Sequence, residues 1–520
     1  MNKESILTSK ATGISVAELF QSQAIKNPKA LAVINSNGDK YTYQTFLLRV
    51  LKLSTVLIKK GIKPKDRIVI LSENRLEYLE LEMACAKIGA VLAAINWRLA
   101  DKEVDYCISL VKPKLIFLST RFDAKVKLSS IKKVPVIFYD SKYETLLNNA
   151  VTYAGRSLGS GEDILVILFT SGTTGYPKGA QISHRAFIAR AMYFAYEYKI
   201  NEGDTFPAWA PMFHMASTDL AIGSLIIGAS VAFVDGFQPK QLKLLIQKYK
   251  LSWLVLMPGM LEEFIKFLNG KKIKIKGIKA MGAMADLIPK KQITEITTLL
   301  DTPYLNSFGS TETGMPPASG GFISKKTKNF SLSKVQSSFC EVILVNNNEV
   351  VDEKYSGECN VRGPTLFSGY WQAEATNLKD FKNSWFHMGD IMKRNKNGTL
   401  DFVDRKKYLI KSGGENIYPA EIERILLSHK NVSEAIVIKI NSKKWGESPI
   451  AIISIDDVLE KDVVIKQLKK LCRSSLAGYK QPVDILIINE IDIPRSTTGK
   501  VQRHFVEKML KTYFNIESFN

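Results

Sequence analysis

The sequence predicts an α/β protein whose parallel sheets are covered by helices on both faces, followed by a small all-β section and a separate α+β tail. Three observations lead to this prediction. Short apolar strands alternate with helical patterns near the N-terminus, the same alternation returns between residues 216 and 283, and the pattern changes after residue 405. Strands that alternate with helices are typical of parallel sheets. The chain has 520 residues, 45% of them hydrophobic, which is enough for several packed cores.

The first units are delimited by residues that start and stop helices. Thr42 is a candidate N-cap, and Gly61 ends the helical pattern that follows it. The predicted elements are a helix over 43–60, a strand over 67–71, a helix over 76–88 and a strand over 91–94. The uncharged stretch 220–234 is shorter than the roughly 20 residues of a membrane span, so we predict a buried helix followed by a strand.

Later elements are predicted from changes in the hydrophobic period. Residues 271–276 alternate lysine with isoleucine, which is typical of a half-exposed strand. The other predicted elements are a strand over 253–257, short strands between 340 and 369, and in the tail a helix over 420–428, a strand over 435–440 and a helix from 461.

The formal net charge of +21 favours anionic partners such as nucleotides, coenzyme A, nucleic acid or a membrane surface. The lysines are scattered and the sequence has no zinc-finger spacing, so no specific nucleic-acid partner is predicted. Peripheral membrane contact is left open. The five cysteines form no CxxC pair, and the first ten residues lack an apolar core. A reducing, cytoplasmic location is therefore expected.

A loop rich in glycine and hydroxyl groups follows a buried strand predicted over 164–169. Residues 170–179 carry four Ser/Thr hydroxyls, three glycines and one lysine, a composition suited to binding phosphate through backbone N–H groups, hydroxyls and charge. The loop is not a Walker loop, because Pro177 stands where that motif needs glycine. A helix predicted to open at Ser183 places the loop between strand and helix, where α/β proteins bind ligands.

Four further motifs follow in order. They are 307–312 (SFGSTE), 385–390 (WFHMGD), 404–407 (DRKK) running on to 412–416 (SGGEN), and 494–500 (PRSTTGK). Together with the loop 171–179, they resemble the signatures of the adenylate-forming superfamily of acyl-CoA synthetases, firefly luciferases and peptide-synthetase adenylation domains. The resemblance extends from about residue 15 to residue 510.

The resemblance implies a large N-terminal domain of two doubly wound α/β subdomains plus a small β-barrel, with a small α+β C-terminal domain. The expected bounds are 1–404 for the AMP-binding adenylation domain and 405–520 for a mobile C-terminal domain. The implied reaction joins a carboxylic acid to ATP as acyl-AMP, releasing pyrophosphate, and then transfers the acyl group to coenzyme A, releasing AMP. ATP, Mg²⁺ and coenzyme A are the implied cofactors and co-substrates.

The resemblance also implies roles for single residues. Thr311 would contact the α-phosphate, Glu312 would hold Mg²⁺, Asp390 and Arg405 would bind the ribose, and Lys500 would reach the carboxylate and α-phosphate. The implied catalytic residues are Lys500, Glu312, Thr311 and His214. The implied ATP-binding residues are Thr170, Ser171, Gly172, Thr173, Thr174, Gly175, Lys178, Gly282, Ala283, Asn306, Ser307, Phe308, Gly309, Thr311, Asp390, Arg405 and Lys500. Of these, five would line the adenine site, namely Gly282, Ala283, Asn306, Ser307 and Phe308, the last through its ring face.

Each of these residues also has a plainer interpretation when it is taken alone. Thr311 and Glu312 suit a helix N-terminus, Asp390 suits a turn before a hairpin, and Lys500 suits a surface position. His214 suits a core histidine whose ring nitrogens are satisfied.

The resemblance implies a conformational change between the two half-reactions. Lys407 corresponds to the hinge, although Tyr408 departs from the aspartate found there in many relatives. One pose would bring Lys500 to ATP, and the other would bring the coenzyme A loop to the site. That loop consists of Ser412, Gly413 and Gly414, and Gly414 would leave room for the pantetheine arm.

The branch of the superfamily is indicated by Phe213 and His214, which stand where amino-acid-activating domains carry Phe-Asp. Histidine does not pair with a substrate ammonium, which argues against an amino acid. The implied acyl pocket is mainly apolar and consists of Met212, His214, Ala216, Met260, Met281, Gly282, Ser310, Gly314 and Met315. A medium- or long-chain fatty acid is the expected substrate, with an aryl or carnitine-like acid as the alternative.

Other readings remain open at this point. The chain ends at Asn520 without a carrier domain, so free coenzyme A is the expected acceptor. An oxidative enzyme like luciferase, an enzyme that serves a carrier protein, and a non-catalytic nucleotide-binding homologue are the alternatives. The expected partner is a small carboxylic acid. The protein is expected to be a monomer or a homodimer.

Overall fold

The structure is a computed structural model. The described residues are 11–170, 177–257, 260–286, 288–346, 349–351, 355–412, 415–443, 445–455, 460–495, 501–513 and 518–519. Five sheets and the helices between them make up these residues. Two of the sheets are largely parallel and form the bulk of the N-terminal part, as the alternation of strands and helices predicted.

The first parallel sheet is formed before residue 184. The elements of this region are α1 (Val16–Lys26), β1 (Leu31–Ile34), β2 (Lys40–Thr42), α2 (Tyr43–Lys59), β3 (Arg67–Leu71), α3 (Leu76–Ile88), β4 (Val91–Ala94), α4 (Asp101–Val111), β5 (Leu115–Ser119), β6 (Val136–Tyr139), α5 (Ser141–Asn148), β7 (Ile164–Thr170) and β8 (Lys178–Ser183). The strand order is β6-β5-β3-β4-β7-β8, and only the β7–β8 pair is antiparallel. Thr42 caps α2 by accepting from the N–H of Thr45, and Gly89 ends α3 in a left-handed conformation, both as predicted.

Both faces of this sheet are buried, because alternate residues of each strand point to opposite sides. On β3, Ile68 and Ile70 join the large core beneath α1, α2 and α3. Val69 and Leu71 join a second core that contains Val104 and Ile108 of α4. This is the doubly wound arrangement that was predicted.

The second parallel sheet combines the middle of the chain with β1 and β2. Its region contains α6 (His184–Glu197), β9 (Thr205–Ala208), α7 (Met215–Ile227), β10 (Ser230–Phe233), α8 (Pro239–Lys248), β11 (Leu251–Val255), α9 (Met260–Leu268), β12 (Ile278–Gly282), α10 (Lys290–Leu299), β13 (Tyr304–Leu305), β14 (Gly309–Ser310), β15 (Gly314–Pro317) and β16 (Phe322–Ile323). The order is β16-β13-β12-β11-β9-β10-β1-β2, with antiparallel edges at β2 and β16. The buried helix and strand predicted over 220–234 are α7 and β10.

One predicted strand is wrong. Residues 271–277 form an irregular segment, and β12 begins only at Ile278. Ile273 and Ile275 pack against the core, while the four lysines between residues 271 and 276 are exposed. The alternation of lysine and isoleucine therefore predicted correctly which side chains face inward. It does not determine whether the backbone pairs with a neighbouring strand.

The small all-β section is an antiparallel sheet. It contains β17 (Glu341–Asn346), β18 (Glu349–Val350), β19 (Ser356–Arg362), α11 (Glu374–Asp380), β20 (Phe381–Lys382), β21 (Trp385–Arg394) and β22 (Leu400–Arg405). The order is β18-β17-β19-β21-β20, and β22 pairs with β21. A small β-barrel was expected in this region. The strands that the structure describes pair as an open sheet.

The C-terminal part is the smaller α+β unit that was predicted. It contains β23 (Ile410–Ser412), β24 (Glu415–Ile417), α12 (Pro419–Leu427), β25 (Val432–Ser442), β26 (Gly446–Ile455), α13 (Lys461–Ser475), β27 (Ile485–Ile487), α14 (Arg503–Tyr513) and β28 (Ser518–Phe519). Its sheet has its own core on each face, one beneath α12 and α13 and one beneath α14. The boundary between 404 and 405 stays a prediction.

No helix in the described part of the chain combines the length and apolarity that crossing a bilayer requires. The compartment, the oligomeric state and any contact with a membrane surface stay predictions.

Helix α3 carries a buried carboxyl group that makes stability depend on pH. The Glu82 side chain is fully buried, and its Oε1 accepts a hydrogen bond of 2.6 Å from the Thr218 hydroxyl. Burial raises the pKa of Glu82 from its ordinary value of 4.5 to about 8. The folded protein therefore retains this proton at neutral pH, where the unfolded chain has lost it.

We expect Glu82→Gln to stabilise the protein at pH 8 but to have little effect near pH 4.5. As pH rises from 4.5 towards 8, only the unfolded chain loses the Glu82 proton, so the parent loses about 1.4 kcal/mol per pH unit. Glutamine keeps an acceptor for Thr218 and carries no such cost. Urea unfolding midpoints of both proteins at pH 5 and pH 8 measure the difference, and equal gaps at the two pH values would contradict the assignment.

Candidate active site

β7 and β8 form a hairpin, the phosphate hairpin, in which Thr170 pairs with Lys178, the described residues on either side of the predicted phosphate ligands. The helix predicted to open at Ser183 is α6, which begins at His184 with Ser183 as its N-cap. The sequence did not predict the intervening strand β8. The predicted phosphate loop still begins at Thr170, the carboxyl end of β7. Residues 171–176, including the predicted phosphate ligands Ser171, Gly172, Thr173, Thr174 and Gly175, lie outside the described residues.

The Thr311–Glu312 segment lies beside this hairpin. The Glu312 carboxylate accepts a hydrogen bond of 2.8 Å at Oε1 from the Tyr370 hydroxyl. The Lys178 ammonium lies 5.1 Å from the centre of the Tyr370 ring. Glu312 and Lys178, which are 134 residues apart in the chain, are thus joined by one tyrosine. The structure brings together the predicted magnesium residue and the predicted phosphate lysine.

A buried ion pair contacts the Thr311–Glu312 segment. Arg190 of α6 is fully buried and donates to both carboxylate oxygens of Asp219 on α7, at 3.1 and 3.0 Å. Its other guanidinium nitrogens donate to the carbonyls of Thr365 and Thr311, each at 3.0 Å. Gly314 has φ +75°, and an added Cβ there would lie 2.8 Å from Arg190 Nε, so this position requires glycine.

Asp390 and Arg405 face each other across β21 and β22. Arg405 Nε lies 2.6 Å from Asp390 Oδ1, and the Asp390 side chain is only 1% exposed. Taken alone, Asp390 suited a turn before a hairpin, but it lies inside β21. The carboxylates of Asp390 and, more weakly, Glu312 raise the pKa of Arg405. The predicted ribose residues therefore lie in the electrostatic field of the predicted magnesium residue.

The predicted adenine residues form a close-packed junction between β12 and β13. Gly282 has φ +125°, and an added Cβ would lie 2.8 Å from the Tyr304 ring. The Tyr304 hydroxyl accepts from the N–H of Ala283 at 3.1 Å. Such tight backbone packing is compatible with a flat ligand lying against residues 282 and 283, and the adenine assignment itself stays a prediction.

Asn306 and Phe308 are already engaged in packing. Asn306 accepts from the N–H of Ala285 and donates to the carbonyl of Leu332. The Phe308 ring packs 5.4 Å from that of Phe402 and is 5% exposed. Both side chains therefore shape the junction from inside, while Ser307 is half-buried and Gly309 is exposed.

His214 lies at the N-terminus of α7 and caps it. Its Nδ1 accepts from the N–H of Ala216 at 3.1 Å, so the neutral ring carries its proton on Nε2. Asn74 holds the preceding residues, because its Oδ1 accepts from the N–H of Met212 and its Nδ2 donates to the carbonyls of Ala208 and Ala210. His214 therefore caps α7 while its ring is half-buried.

The predicted acyl-pocket residues are largely buried. Met212, Met281, Met315 and Ala216 belong to the large core, Gly314 is buried, and Met260 and Ser310 are half-buried. The structure thus gives them an apolar setting, and their assignment to the acyl pocket stays a prediction.

The predicted hinge lies in a 3₁₀ turn, Lys406–Tyr408, directly after β22. Lys407 is exposed, and its ammonium lies 4.8 Å from the centre of the Tyr408 ring. The Arg503 guanidinium lies 4.9 Å from the same ring. Ser412 is buried at the end of β23. Gly413, Gly414 and Lys500 lie outside the described residues.

Comparison with known proteins decides the family. A family model described as "AMP-binding enzyme" matches residues 20–371, and a second, described as "AMP-binding enzyme C-terminal domain", matches residues 421–500. The chain belongs to the AMP-binding enzymes. It is an acyl-CoA ligase of the AMP-forming kind, the acid–thiol ligase class that the motifs indicated.

Several relatives of this AMP-binding enzyme are CoA ligases. A 2-succinylbenzoate–CoA ligase of Listeria innocua is 28% identical over 90% of this chain and 94% of its own length. An indoleacetate–CoA ligase of Aromatoleum aromaticum is 28% identical over 88% of this chain and 91% of its own. The O-succinylbenzoate coenzyme A synthetase of Bacillus subtilis, solved with ATP and a magnesium ion, superposes with a TM-score of 0.83 at 24% identity, covering 95% and 100% of the two chains.

The residues of this AMP-binding enzyme fit a magnesium ion that is held mainly by nucleotide. Among the described residues, no group of three or more His, Cys, Asp or Glu side chains is arranged to hold a metal. Mg²⁺ commonly takes one or two carboxylates together with substrate phosphates. Glu312, with Oε1 held by Tyr370, provides such a carboxylate beside the phosphate hairpin.

Sequence reasoning missed Tyr370, Asn74 and the Arg190–Asp219 pair. The pair did leave a signal, because single opposite charges stand in helices that are otherwise apolar on their buried sides. Two such charges in neighbouring helices predict a buried ion pair. Tyr370 and Asn74 left none, since each acts through a partner more than 50 residues away in the chain.

Proposed function

We propose that this enzyme uses Mg²⁺ and ATP to activate an aromatic or arylalkanoic acid as its acyl-adenylate, and that it then forms the coenzyme A thioester. One observation carries the ATP half of the proposal. Glu312, Lys178 and the Asp390–Arg405 pair come from distant segments; Tyr370 contacts both Glu312 and Lys178, and Glu312 acts electrostatically on Arg405. Carboxylates for Mg²⁺ and ribose beside cations for phosphate are what ATP requires.

In the first half-reaction, a carboxylate oxygen of the acid attacks the α-phosphorus of ATP. The bond from that phosphorus to the bridging oxygen breaks, and pyrophosphate leaves with the bond's electrons. Lys500 would hold the two approaching anions together, and the Thr311 hydroxyl would bind the α-phosphate. Asp390 would fix the ribose hydroxyls. Mg²⁺ at Glu312 would neutralise the leaving phosphates.

In the second half-reaction, the coenzyme A sulfur attacks the acyl carbon, the thiol proton is released and AMP leaves. We propose that Lys407 is the hinge for the movement between the two steps and that Ser412, Gly413 and Gly414 line the path of the pantetheine arm. The Lys406–Tyr408 turn supports this, because it lies directly between β22 and the C-terminal part.

An aromatic acid replaces the fatty acid that the sequence favoured. The apolar residues at 212, 216, 281 and 315 suit either class. The relatives named above act on 2-succinylbenzoate and indoleacetate, both aromatic. Methionine and alanine are adaptable apolar linings that accommodate a ring as readily as a chain.

The test is a panel of acids incubated with the enzyme, ATP, Mg²⁺ and coenzyme A. The panel contains 2-succinylbenzoate, indoleacetate, benzoate, fatty acids from six to sixteen carbons and phenylalanine. Mass spectrometry would record acyl-AMP, AMP and thioester separately. We expect the highest kcat/KM for an aromatic acid and no product from phenylalanine. A fatty acid preferred by tenfold would overturn the acid class, and acyl-AMP without thioester would overturn the acceptor.

We expect Gly414→Leu to block thioester formation while leaving adenylation close to the parent rate. A leucine side chain would fill a path that is proposed to be only as wide as a pantetheine arm. Acid-dependent exchange of labelled pyrophosphate into ATP measures the first step, and thioester formation from supplied acyl-AMP measures the second. Loss of both steps together would show that Gly414 does not lie on the coenzyme A path.

A further inference from the structure

Tyr370 joins two parts of the candidate ATP site that the motifs leave separate. Its hydroxyl donates to Glu312 Oε1 at 2.8 Å, and its ring faces the Lys178 ammonium at 5.1 Å. Its backbone forms an antiparallel bridge with Ala180 of β8. Tyr370 is therefore anchored to the phosphate hairpin while it contacts the carboxylate predicted to hold Mg²⁺.

The position of Tyr370 is fixed from several sides. Its N–H donates to Asn377 Oδ1 at 2.7 Å, and Asn377 Nδ2 donates back to its carbonyl at 2.9 Å. The ring packs edge-on against Phe367, with 4.8 Å between centroids. The N–H of the neighbouring Trp371 donates to the carbonyl of Gly179 at 2.8 Å. Because these contacts fix the Tyr370 side chain, its hydroxyl can fix the orientation of the Glu312 carboxylate.

We propose that Tyr370 is a positioning residue for the magnesium ion of the adenylation step. By binding Oε1 of Glu312, the hydroxyl would fix the orientation of the carboxylate and leave Oε2 to the metal. This inference rests on the proposed function. Groups that hold a metal-binding carboxylate in this manner typically contribute 10- to 100-fold to metal affinity.

The chemistry of the contact supports a donor role. A carboxylate can only accept, so the Tyr370 hydroxyl is the donor in its contact with Glu312. Glu312 also accepts at its backbone carbonyl from the N–H of Phe367, at 2.7 Å. Backbone and side chain of Glu312 are thus both held by the segment that carries Tyr370.

The test measures metal binding directly, with Mn²⁺ in place of Mg²⁺. Free Mn²⁺ is followed by electron paramagnetic resonance while the full-length protein is titrated in the presence of saturating ATP. For Tyr370→Phe we expect the Mn²⁺ dissociation constant to rise about 10-fold. The Mg²⁺ concentration for half-maximal pyrophosphate exchange should rise similarly, while thioester formation from supplied acyl-AMP stays within twofold.

The matched control is Tyr143→Phe. Tyr143 also donates to a buried carboxylate, that of Glu80 at 2.7 Å, and this pair belongs to α5 and α3. The Tyr143→Phe variant should be less stable than the parent but should bind Mn²⁺ with the same affinity. Equal Mn²⁺ affinity in the parent and Tyr370→Phe would overturn the inference alone. If the parent protein binds no Mn²⁺ with ATP, the proposed function fails together with this inference.

Discussion

Replacing Lys500 by alanine is expected to slow acyl-adenylate formation by about 10²- to 10³-fold, the usual loss when one preorganised group that stabilises transition-state charge is removed. Two anions, the acid and the α-phosphate, must approach each other in this step. Lysine suits the task, because it places a compact charge at the end of a flexible stem. Pyrophosphate exchange with the preferred acid of the panel measures this effect.

The second half-reaction serves as the internal control for this variant. Thioester formation from supplied acyl-AMP needs no contact between Lys500 and ATP, so it should remain within a few-fold of the parent rate. Lys508→Ala, a change of the same type in the following helix, should alter neither step. Equal losses in both half-reactions would mean that Lys500 stabilises the fold or both poses, which contradicts the role given to it.

The helices and strands of the first sheet could be predicted closely because local signals and tertiary structure agree there. The strands over 67–71 and 91–94 and the helix over 76–88 have the predicted bounds. Gly89 stops the helix through its left-handed conformation, a property that the residue itself carries. Residues 271–276 failed for the complementary reason, since strand formation needs a neighbour's hydrogen bonds as well as an inward face.

The candidate site was predictable only to the extent that each motif carries its chemistry locally. The motifs indicated Glu312, Asp390, Arg405 and Lys178, and the structure links Glu312 with Lys178 through Tyr370 and with Arg405 through its charge. Motifs do not state what fixes each side chain. That information resides in long-range contacts such as Tyr370 to Glu312, which no local pattern encodes.

The preference for a fatty acid rested on composition alone and stays a prediction, because composition does not determine the shape of a cavity. Methionine, alanine and glycine establish that a lining is apolar, but a fatty chain and an aromatic ring bury similar kinds of surface. Discrimination between them depends on the width and depth of the cavity, which follow from how distant elements pack. The sequence therefore limited the acid to an apolar one, and the class had to be proposed from the relatives.

The largest structural effect is expected from Arg190→Met. It would leave the Asp219 carboxyl buried without its partner and two carbonyls, of Thr311 and Thr365, without their donor. Breaking one side of a buried ion pair costs about 3–5 kcal/mol. Burial already raises the pKa of Asp219, so in the variant this group is expected to fold in its neutral form. Chemical denaturation followed by circular dichroism measures the loss.

The double variant Arg190→Met/Asp219→Leu separates the cost of the orphaned acid from that of the lost carbonyl contacts. Replacing both charges by apolar groups commonly restores stability, so we expect it to recover more than half of the loss. ATP binding should not recover with it, because the Thr311 carbonyl still lacks the guanidinium that fixes the Thr311–Glu312 segment. Calorimetric titration with ATP and Mg²⁺ distinguishes the two effects. Full recovery of both stability and binding would mean that the pair only fills the core, whereas recovered stability with weak binding would mean that Arg190 positions the site.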